Sequence, residues 1–294
     1  MSNRSPDRLT KQQRQDQARE SARLKREEQR ARKRRQRWFI QGSVVLGMLA
    51  VVAIAVVVVL NVTRPPSPGP LNMLSDGILI SGDGTTTTAV TTTAIQPDST
   101  PVPTDPTTQA GTVNIVMYVD YQCPFCQQFE TTNAAQISQW VTAGIATVEI
   151  HPIAILDNSS GGTKYSTRSA NAAACVANFD PDKYLAVNNA LFTNQPAEGG
   201  SGLTDAELQK VVSDAGASGK DVASCISSQT FSSWVTAATK RALAGPLPNS
   251  DTPNVQGTPT VIVDGTKYPG ALDDATAFND FVGQLATSGL SAGG

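Results

Sequence analysis

The feature that most constrains the fold of this chain is an apolar run that leads directly into two closely spaced cysteines. Residues 113–119 (VNIVMYV) form a nearly continuous β-rich run, which is typical of a strand buried on both faces. The sequence Cys-Pro-Phe-Cys follows at 123–126, and the mostly non-β-branched segment 127–141 predicts a helix. Because proline at the first helical turn costs no hydrogen bond, we expect this motif to open the helix.

The rest of the domain alternates strands and helices. Residues 147–155 predict a second strand, and roughly 164–245 predict a long helical region with Gly-rich breaks. Residues 260–268 predict a hairpin around Asp264-Gly265, and 273–287 predict a closing amphipathic helix. This order predicts an α/β fold with a helical insertion.

A transmembrane anchor is predicted ahead of this domain, at 38–63. No charged residue lies between Arg37 and Arg64, and Phe39–Leu60 is almost wholly apolar, which is long enough to cross a bilayer. A buried core helix and a cleaved signal peptide are the alternatives. The run lacks a small-x-small cleavage site at its end, and the basic region before it is too long for a signal peptide.

Charge sets the expected topology. Residues 1–37 carry fourteen Lys or Arg and five Asp or Glu, whereas from Pro65 onward there are eight Lys or Arg and twenty Asp or Glu. The positive-inside rule therefore predicts a single-pass protein of the cell membrane with a cytoplasmic N-terminus and an extracytoplasmic domain. The acidic domain argues against nucleic-acid binding, and its compartment permits disulfides.

Residues 64–111 are rich in Pro and Thr, and this composition predicts a stalk that does not fold alone. Within it, residues 77–82 resemble a short strand that could add to the edge of the domain. The folded domain is therefore predicted at 112–294.

The residues Tyr118 to Cys126 (YVDYQCPFC) resemble the thioredoxin superfamily, and most closely its DsbA-like branch. That branch has a Cys-Pro-x-Cys motif and an inserted helical domain, and Gly257-Thr258-Pro259-Thr260 is similar to its cis-proline loop. The anchored, stalked layout resembles actinobacterial members. The resemblance covers about residues 112–290 and implies a thioredoxin fold with a helical insertion. The transmembrane helix and the Thr/Pro-rich stalk that precede it are predicted independently of the resemblance.

The motif carries redox chemistry, with Cys123 and Cys126 as the catalytic pair. Helix N-terminal amides and the helix dipole favour a thiolate at Cys123, and Cys126 can close the disulfide. A zinc half-site and an inert bridge are the alternatives. With one histidine in the chain, histidine-based metal sites are disfavoured, and we expect neither a metal nor a cofactor.

Residues beside the cysteines bear on how the substrate binds and on whether the protein oxidises or reduces it. Pro124 and Phe125 fill the motif, and Phe125 stands where DsbA-like oxidases often carry a histidine that stabilises the thiolate. Thr258 before the proline occurs in oxidases, reductases and isomerases, so it leaves the direction open. The backbone beside Pro259 is expected to pair with an extended substrate, and an ordinary trans turn proline is the alternative.

Four cysteines permit three pairings. If Cys123 and Cys126 form the redox pair, the remaining structural bond joins Cys175 and Cys225, and two buried free thiols are the alternative. Beside the motif, Asp120 and Glu130 are candidates for a proton relay to Cys126, or are merely solvated or capping residues.

These features predict an extracytoplasmic thiol–disulfide oxidoreductase that introduces disulfides into unfolded or reduced secreted proteins. The resemblance implies a membrane quinone-linked partner that reoxidises it, and residues 39–60 would contact the lipid bilayer. A disulfide reductase or isomerase of the same fold is one alternative. A non-enzymatic, anchored thioredoxin-fold binding module is another.

Overall fold

The computed structural model describes residues 67–109 and 111–292, together with Arg23 and Met48. Apart from those two residues, the basic segment at 1–37 and the predicted anchor at 38–63 lie outside the described residues. Within the described part of the chain, no helix is both long and apolar enough to cross a bilayer.

Six strands form one mixed sheet in the order β2-β1-β4-β3-β5-β6. In chain order the strands are β1 (Ile78–Gly82), β2 (Thr87–Ala89), β3 (Val113–Val119), β4 (Ala146–Pro152), β5 (Thr260–Val263) and β6 (Thr266–Lys267). Strand β3 pairs in parallel with β4 along its whole length and antiparallel with β5. The strand that precedes the cysteine motif is therefore central in the sheet.

The described residues contain seven α-helices. They are α1 (Pro124–Thr142), α2 (Tyr165–Phe179), α3 (Tyr184–Thr193), α4 (Asp205–Asp214), α5 (Lys220–Ser228), α6 (Ser232–Ala244) and α7 (Ala275–Ala292). Helix α1 makes the crossover that the parallel β3–β4 pair requires, and α2 to α6 lie between β4 and β5. Short 3-10 turns lie at Pro106–Gln109, Asp157–Ser159 and Pro181–Lys183.

Element order follows the sequence prediction, but some boundaries differ. Strand β4 ends at Pro152 instead of residue 155. The last helix begins at Ala275 instead of residue 273 and continues to Ala292. Its start is fixed by Asp274, whose carboxylate accepts hydrogen bonds from the first backbone amides of the helix.

Strand β3 is covered on both faces, as its apolar run predicts. Ile115, Met117 and Val119 are buried in the main core with α1 and α7. Because side chains alternate along a strand, Tyr118 points to the opposite face, where it packs in a second cluster with Leu247 and other apolar residues. The cysteine motif therefore follows a rigid strand.

The segment predicted as a stalk differs from that expectation. Residues 67–107, called the strap below, are packed onto the domain. Within the strap, Ile78 and Ile80 of β1 are buried, and β1 lies between β2 and β4 and not at the sheet edge. Met73 and Ile95 of this Thr/Pro-rich segment are buried as well, whereas Leu71 and Val102 are exposed. The folded unit thus begins near residue 67 and not at residue 112.

Polar contacts also hold the strap. Arg241 of α6 donates from Nε to Oδ2 of Asp76 over 2.6 Å and from Nη2 to Oδ1 over 2.8 Å. The indole nitrogen of Trp234 donates to Oδ1 of the same carboxylate over 3.1 Å. A bidentate ion pair of this kind fixes both distance and orientation. It attaches the strap to the helical insertion.

Candidate active site

Backbone geometry places Cys123 at the positive end of α1. The helix begins at Pro124, and Cys123 is its N-cap residue with extended backbone angles of −78° and 118°. Its carbonyl accepts the first helical hydrogen bond, from the Gln127 amide over 3.1 Å. Proline fits the first position of the helix because it has no backbone N–H, and an N–H at this position would have no hydrogen-bond partner within the helix. The sulfur of Cys123 therefore lies near unpaired amides.

The two sulfurs of the motif have opposite acidities. A hydrogen bond from the Cys126 thiol lowers the pKa of Cys123 from 9.0 to about 6, although burial acts in the other direction. The side chain of Thr258 and the amides of Phe125 and Cys126 lower it as well. Burial raises the pKa of Cys126 well above its ordinary value, since this residue is fully enclosed. At neutral pH, Cys123 is the thiolate and Cys126 the protonated partner.

A second loop reaches the motif from 135 residues further along the chain. The Thr258–Pro259 peptide bond is cis, and the Cys123 thiol donates to the Thr258 carbonyl over 3.1 Å. The Thr258 hydroxyl is buried and has no hydrogen-bond partner among the described residues. When Cys123 ionises, this hydroxyl is a free donor for the thiolate. The geometry thus unites Cys123, Cys126 and the predicted cis-proline loop.

The outer face of the motif is apolar and uncharged. Pro124 and Phe125 are exposed, with 61% of Phe125 accessible to solvent, whereas 5% of Cys123 is accessible and Cys126 is fully enclosed. The Phe125 side chain cannot donate a hydrogen bond to the thiolate, although its backbone amide does. Amides and the Cys126 thiol, and not a positive side chain, therefore account for the low pKa of Cys123.

A buried polar network lies behind the motif. Glu130 is one helical turn beyond Cys126 on the same face of α1 and accepts a hydrogen bond from the Asn188 amide group over 3.0 Å. The Tyr121 hydroxyl donates to the side-chain oxygen Oδ1 of Asn188 over 3.0 Å. Burial raises the pKa of Glu130 to about 7, although the hydrogen bond from Asn188 opposes this shift. Glu130 is therefore a buried acid that can hold a proton near neutral pH.

Asp120 is not solvated in this geometry. It is fully buried, and its carboxylate accepts the backbone amides of Gln122, Ile155 and Leu156 over 2.8 to 3.0 Å. Burial raises its pKa, and these amides act against the rise. Asp120 ties the turn before the motif to the chain beyond β4, which is a structural role.

Gln195 also belongs to the site, although sequence analysis does not predict it. Its side-chain amide donates to the carbonyls of Tyr121 and Cys123 over 3.1 and 3.0 Å. It follows α3, so it joins the helical insertion to the turn that carries Cys123. A glutamine in a polar stretch has no distinguishing sequence pattern, which is why sequence reasoning missed it.

The other two cysteines lie elsewhere. Cys175 of α2 and Cys225 of α5 form a disulfide with Cα atoms 5.8 Å apart, inside the helical insertion. Cys123 and Cys126 are free thiols. In the part of the chain that the structure describes, no group of three or more His, Cys, Asp or Glu side chains could hold a metal ion.

Comparison with known proteins identifies the family. A family model described as thioredoxin matches residues 108–282, which is more than half of the chain. The chain therefore belongs to the thioredoxin family. Strand β3, α1 and the cis-proline loop, which together build the candidate site, all lie within the matched range.

Solved structures of similar fold include thiol–disulfide enzymes. The reduced form of the disulfide bond oxidoreductase DsbG from Mycobacterium tuberculosis is 26% identical and has a TM-score of 0.53, and the match covers 74% of this chain and 93% of that one. Oxidised BdbD from Bacillus subtilis is 17% identical with a TM-score of 0.52, covering 76% and 100%. The second likeness shows the fold alone.

One curated relative is a protein kinase and not an oxidoreductase by name. The serine/threonine-protein kinase PknE of Mycobacterium tuberculosis is 37% identical over 110 residues, which are 36% of this chain and 19% of the kinase. This chain thus spans about a fifth of the length of that relative.

Proposed function

We propose that the chain is a thiol–disulfide oxidoreductase that transfers the Cys123–Cys126 disulfide to reduced secreted proteins. The observation that carries this proposal is the unequal acidity of the two sulfurs at one helix terminus. The pKa of Cys123 is lowered to about 6, and that of the enclosed Cys126 is raised. The lowered pKa favours Cys123 as a leaving thiolate, and enclosure keeps Cys126 from outside thiols.

The reaction starts from the oxidised pair. A substrate thiolate attacks the sulfur of Cys123, the Cys123–Cys126 bond breaks, and Cys126 leaves with the electron pair and takes up a proton. A second substrate thiolate then attacks the substrate sulfur of the mixed disulfide, and Cys123 leaves as a thiolate. The substrate loses two electrons, and the cysteine pair gains them. We propose that Glu130, one helical turn beyond Cys126 on α1, exchanges the proton of that sulfur.

The acidity of Cys123 supports the oxidising direction. A stabilised thiolate stabilises the reduced enzyme, so the disulfide is donated more readily. The test is the reduction potential of the full-length protein in lipid nanodiscs, measured by equilibration with glutathione. We expect a value less negative than about −200 mV, the range of disulfide donors and isomerases. A value near that of thioredoxin, about −270 mV, would assign the protein to the reductases instead.

Trapping variants test the roles of the two sulfurs. We expect Cys123→Ser to abolish oxidation of a reduced two-cysteine peptide. Given a substrate that carries a disulfide, Cys126→Ser should accumulate mixed disulfides, because the Cys123 thiolate attacks the substrate disulfide, one substrate sulfur leaves as a thiolate, and the internal resolving thiol is absent. The Cys175→Ala, Cys225→Ala double variant is the matched control, since its cysteines lie outside the site, and it should retain exchange. Alkylation of Cys126 before Cys123 in the reduced native protein would refute the assignment.

We further propose that the domain works outside the cytoplasm, anchored through residues 39–60, and that a membrane quinone-linked partner reoxidises it. The charge difference around the apolar run supports this topology. Protease added to intact cells should remove the domain but spare the basic segment. Since an envelope can exclude protease, a reporter active only outside the cytoplasm, fused to the domain, is the control. A cytoplasmic result in both assays would contradict the oxidase proposal.

A further inference from the structure

A cavity of about 470 Å³ lies apart from the cysteines, between the strap, the sheet and α6. Pro101 and Pro103 of the strap line one side, and Ala238 and Ala242 of α6 line another. None of the residues at 123–126 or 258–259 lines it. Its volume lies in the range of small-molecule sites, which are concave and mostly apolar with a few placed polar groups.

The polar end of this cavity contains a hydroxyl group without a partner. Tyr118 of β3 lines the cavity, is 4% exposed and stacks on the His151 ring at a centroid distance of 4.4 Å. No hydrogen bond joins its hydroxyl to any described residue, and the hydroxyl oxygen is not among the fully enclosed unpaired atoms, so it retains accessible surface beside the cavity. The ring stack fixes the side chain, so the hydroxyl is a preset donor.

A second donor lies at the more exposed edge of the cavity, where 35% of the Arg241 side chain is accessible to solvent. Arg241 lines the cavity and uses Nε and Nη2 to hold Asp76, which leaves Nη1 without a hydrogen bond to the described residues. The Asp76 carboxylate balances its charge. The polar end thus offers donors without a net positive charge.

Charge selects against an anionic occupant. Burial, together with the nearby Glu149 and Asp76 carboxylates, raises the pKa of Tyr118, so its hydroxyl keeps its proton over the physiological range. The Glu149 carboxylate repels a negative group placed beside that hydroxyl, whereas Arg241 already balances the charge of Asp76. An acceptor that carries no charge is therefore the chemistry that fits.

We propose that this cavity binds a neutral small molecule with an apolar body and a carbonyl oxygen, and that the Tyr118 hydroxyl donates a hydrogen bond to this oxygen. Pro101 and Pro103 of the strap line one side of the cavity, so the strap would contact the bound molecule directly. The proposal is independent of the thiol chemistry at Cys123.

Benzophenone is a suitable probe because it is neutral, carries a carbonyl between two apolar rings, and inserts into nearby C–H bonds under ultraviolet light. The full-length protein in nanodiscs would be labelled and its peptides mapped by mass spectrometry. We expect labels on residues 100–103 or 238–248. The anion 4-carboxybenzophenone should label these residues at least tenfold less, and an excess of diphenylmethane, which lacks the carbonyl, should compete weakly.

Two variants and a matched control decide the outcome. Tyr118→Phe should weaken benzophenone binding roughly three- to tenfold, the value of one neutral hydrogen bond. Ala242→Phe should fill the cavity and abolish the labels, with circular dichroism melting as the check of folding. Tyr165→Phe removes another buried hydroxyl without a partner, outside the cavity, and should change nothing. Labels only at other residues, or equal labelling of Tyr118→Phe and the wild type, would overturn the proposal.

Discussion

The acidity of Cys123 can be tested by removing its main cause. The largest contribution to its low pKa is the hydrogen bond from the Cys126 thiol. Cys126→Ala deletes this donor but leaves the helix terminus, its amides and the cis-proline loop in place. Cys126→Ser is the matched variant, because it keeps a hydroxyl donor at the same position.

The size of the effect follows from the type of bond. A hydrogen bond to a charged group contributes about 1.5–3 kcal/mol. At 1.36 kcal/mol per pKa unit, its loss should raise the pKa of Cys123 by about 1–2 units. The midpoint should therefore move from about 6 to roughly 7–8. At pH 6 the thiolate fraction would fall from about one half to between about 1% and 10%.

The assay is the rate of iodoacetamide alkylation of Cys123 in the reduced full-length protein as a function of pH, with thiolate absorbance near 240 nm as a second readout. In the wild type the rate should rise through pH 6 and level off above about pH 7.5. At pH 6 the Ala variant should react about five- to fiftyfold more slowly, and the Ser variant should stay near the wild type. Equal midpoints in the Ala variant and the wild type would refute the reasoning.

Three further outcomes are expected. Glu130 keeps its proton in the folded state up to about pH 7, whereas in the unfolded chain it ionises near 4.5, so its ionisation opposes folding as pH rises through this window. Glu130→Gln should therefore add up to about 3 kcal/mol of unfolding free energy at pH 8 and almost none at pH 4, measured by urea denaturation. Replacing Cys175 and Cys225 by alanine opens a loop of 50 residues and should cost about 4 kcal/mol. Ile80→Ala should cost about 2–5 kcal/mol if the strap belongs to the core, whereas exposed Thr88→Ala should cost little in the same urea titrations.

The elements that the sequence predicted well are those with a strong local pattern. Strand β3 has the predicted bounds because a continuous apolar run between polar turns has one interpretation, and Pro124 fixes the start of α1. The strap was predicted to be an unfolded stalk because its high Pro and Thr content outweighs its few apolar residues when the whole segment is considered together. A strand needs only a few apolar side chains when a partner strand supplies the hydrogen bonds, and residues 78–80 meet that partner in β4.

The residues of the candidate site likewise fall into those that a local sequence pattern predicts and those that it does not. Cys123, Cys126 and Pro259 belong to motifs with recognisable spacing, so the sequence alone pointed to them. Gln195 and the pairing of Glu130 with Asn188 depend on the packing of α3 against α1, and no local pattern encodes contacts between residues 58 or more positions apart. Composition likewise says nothing of a cavity closed by the strap.

The helical insertion is connected to the acidity of the motif through backbone and buried contacts and not through charge. Gln195 holds the carbonyl of Cys123, and Asn188 holds Glu130 behind Cys126. The Gln195 contact holds the residue that precedes the first turn of α1, whose amides stabilise the Cys123 thiolate, and the Asn188 contact holds the second turn. A histidine inside the motif would also stabilise the Cys123 thiolate, but through a positive charge that is lost as the imidazole deprotonates. With Phe125 there instead, the low pKa of Cys123 rests on groups that do not titrate near neutral pH, so thiolate stabilisation should change little between pH 7 and pH 8.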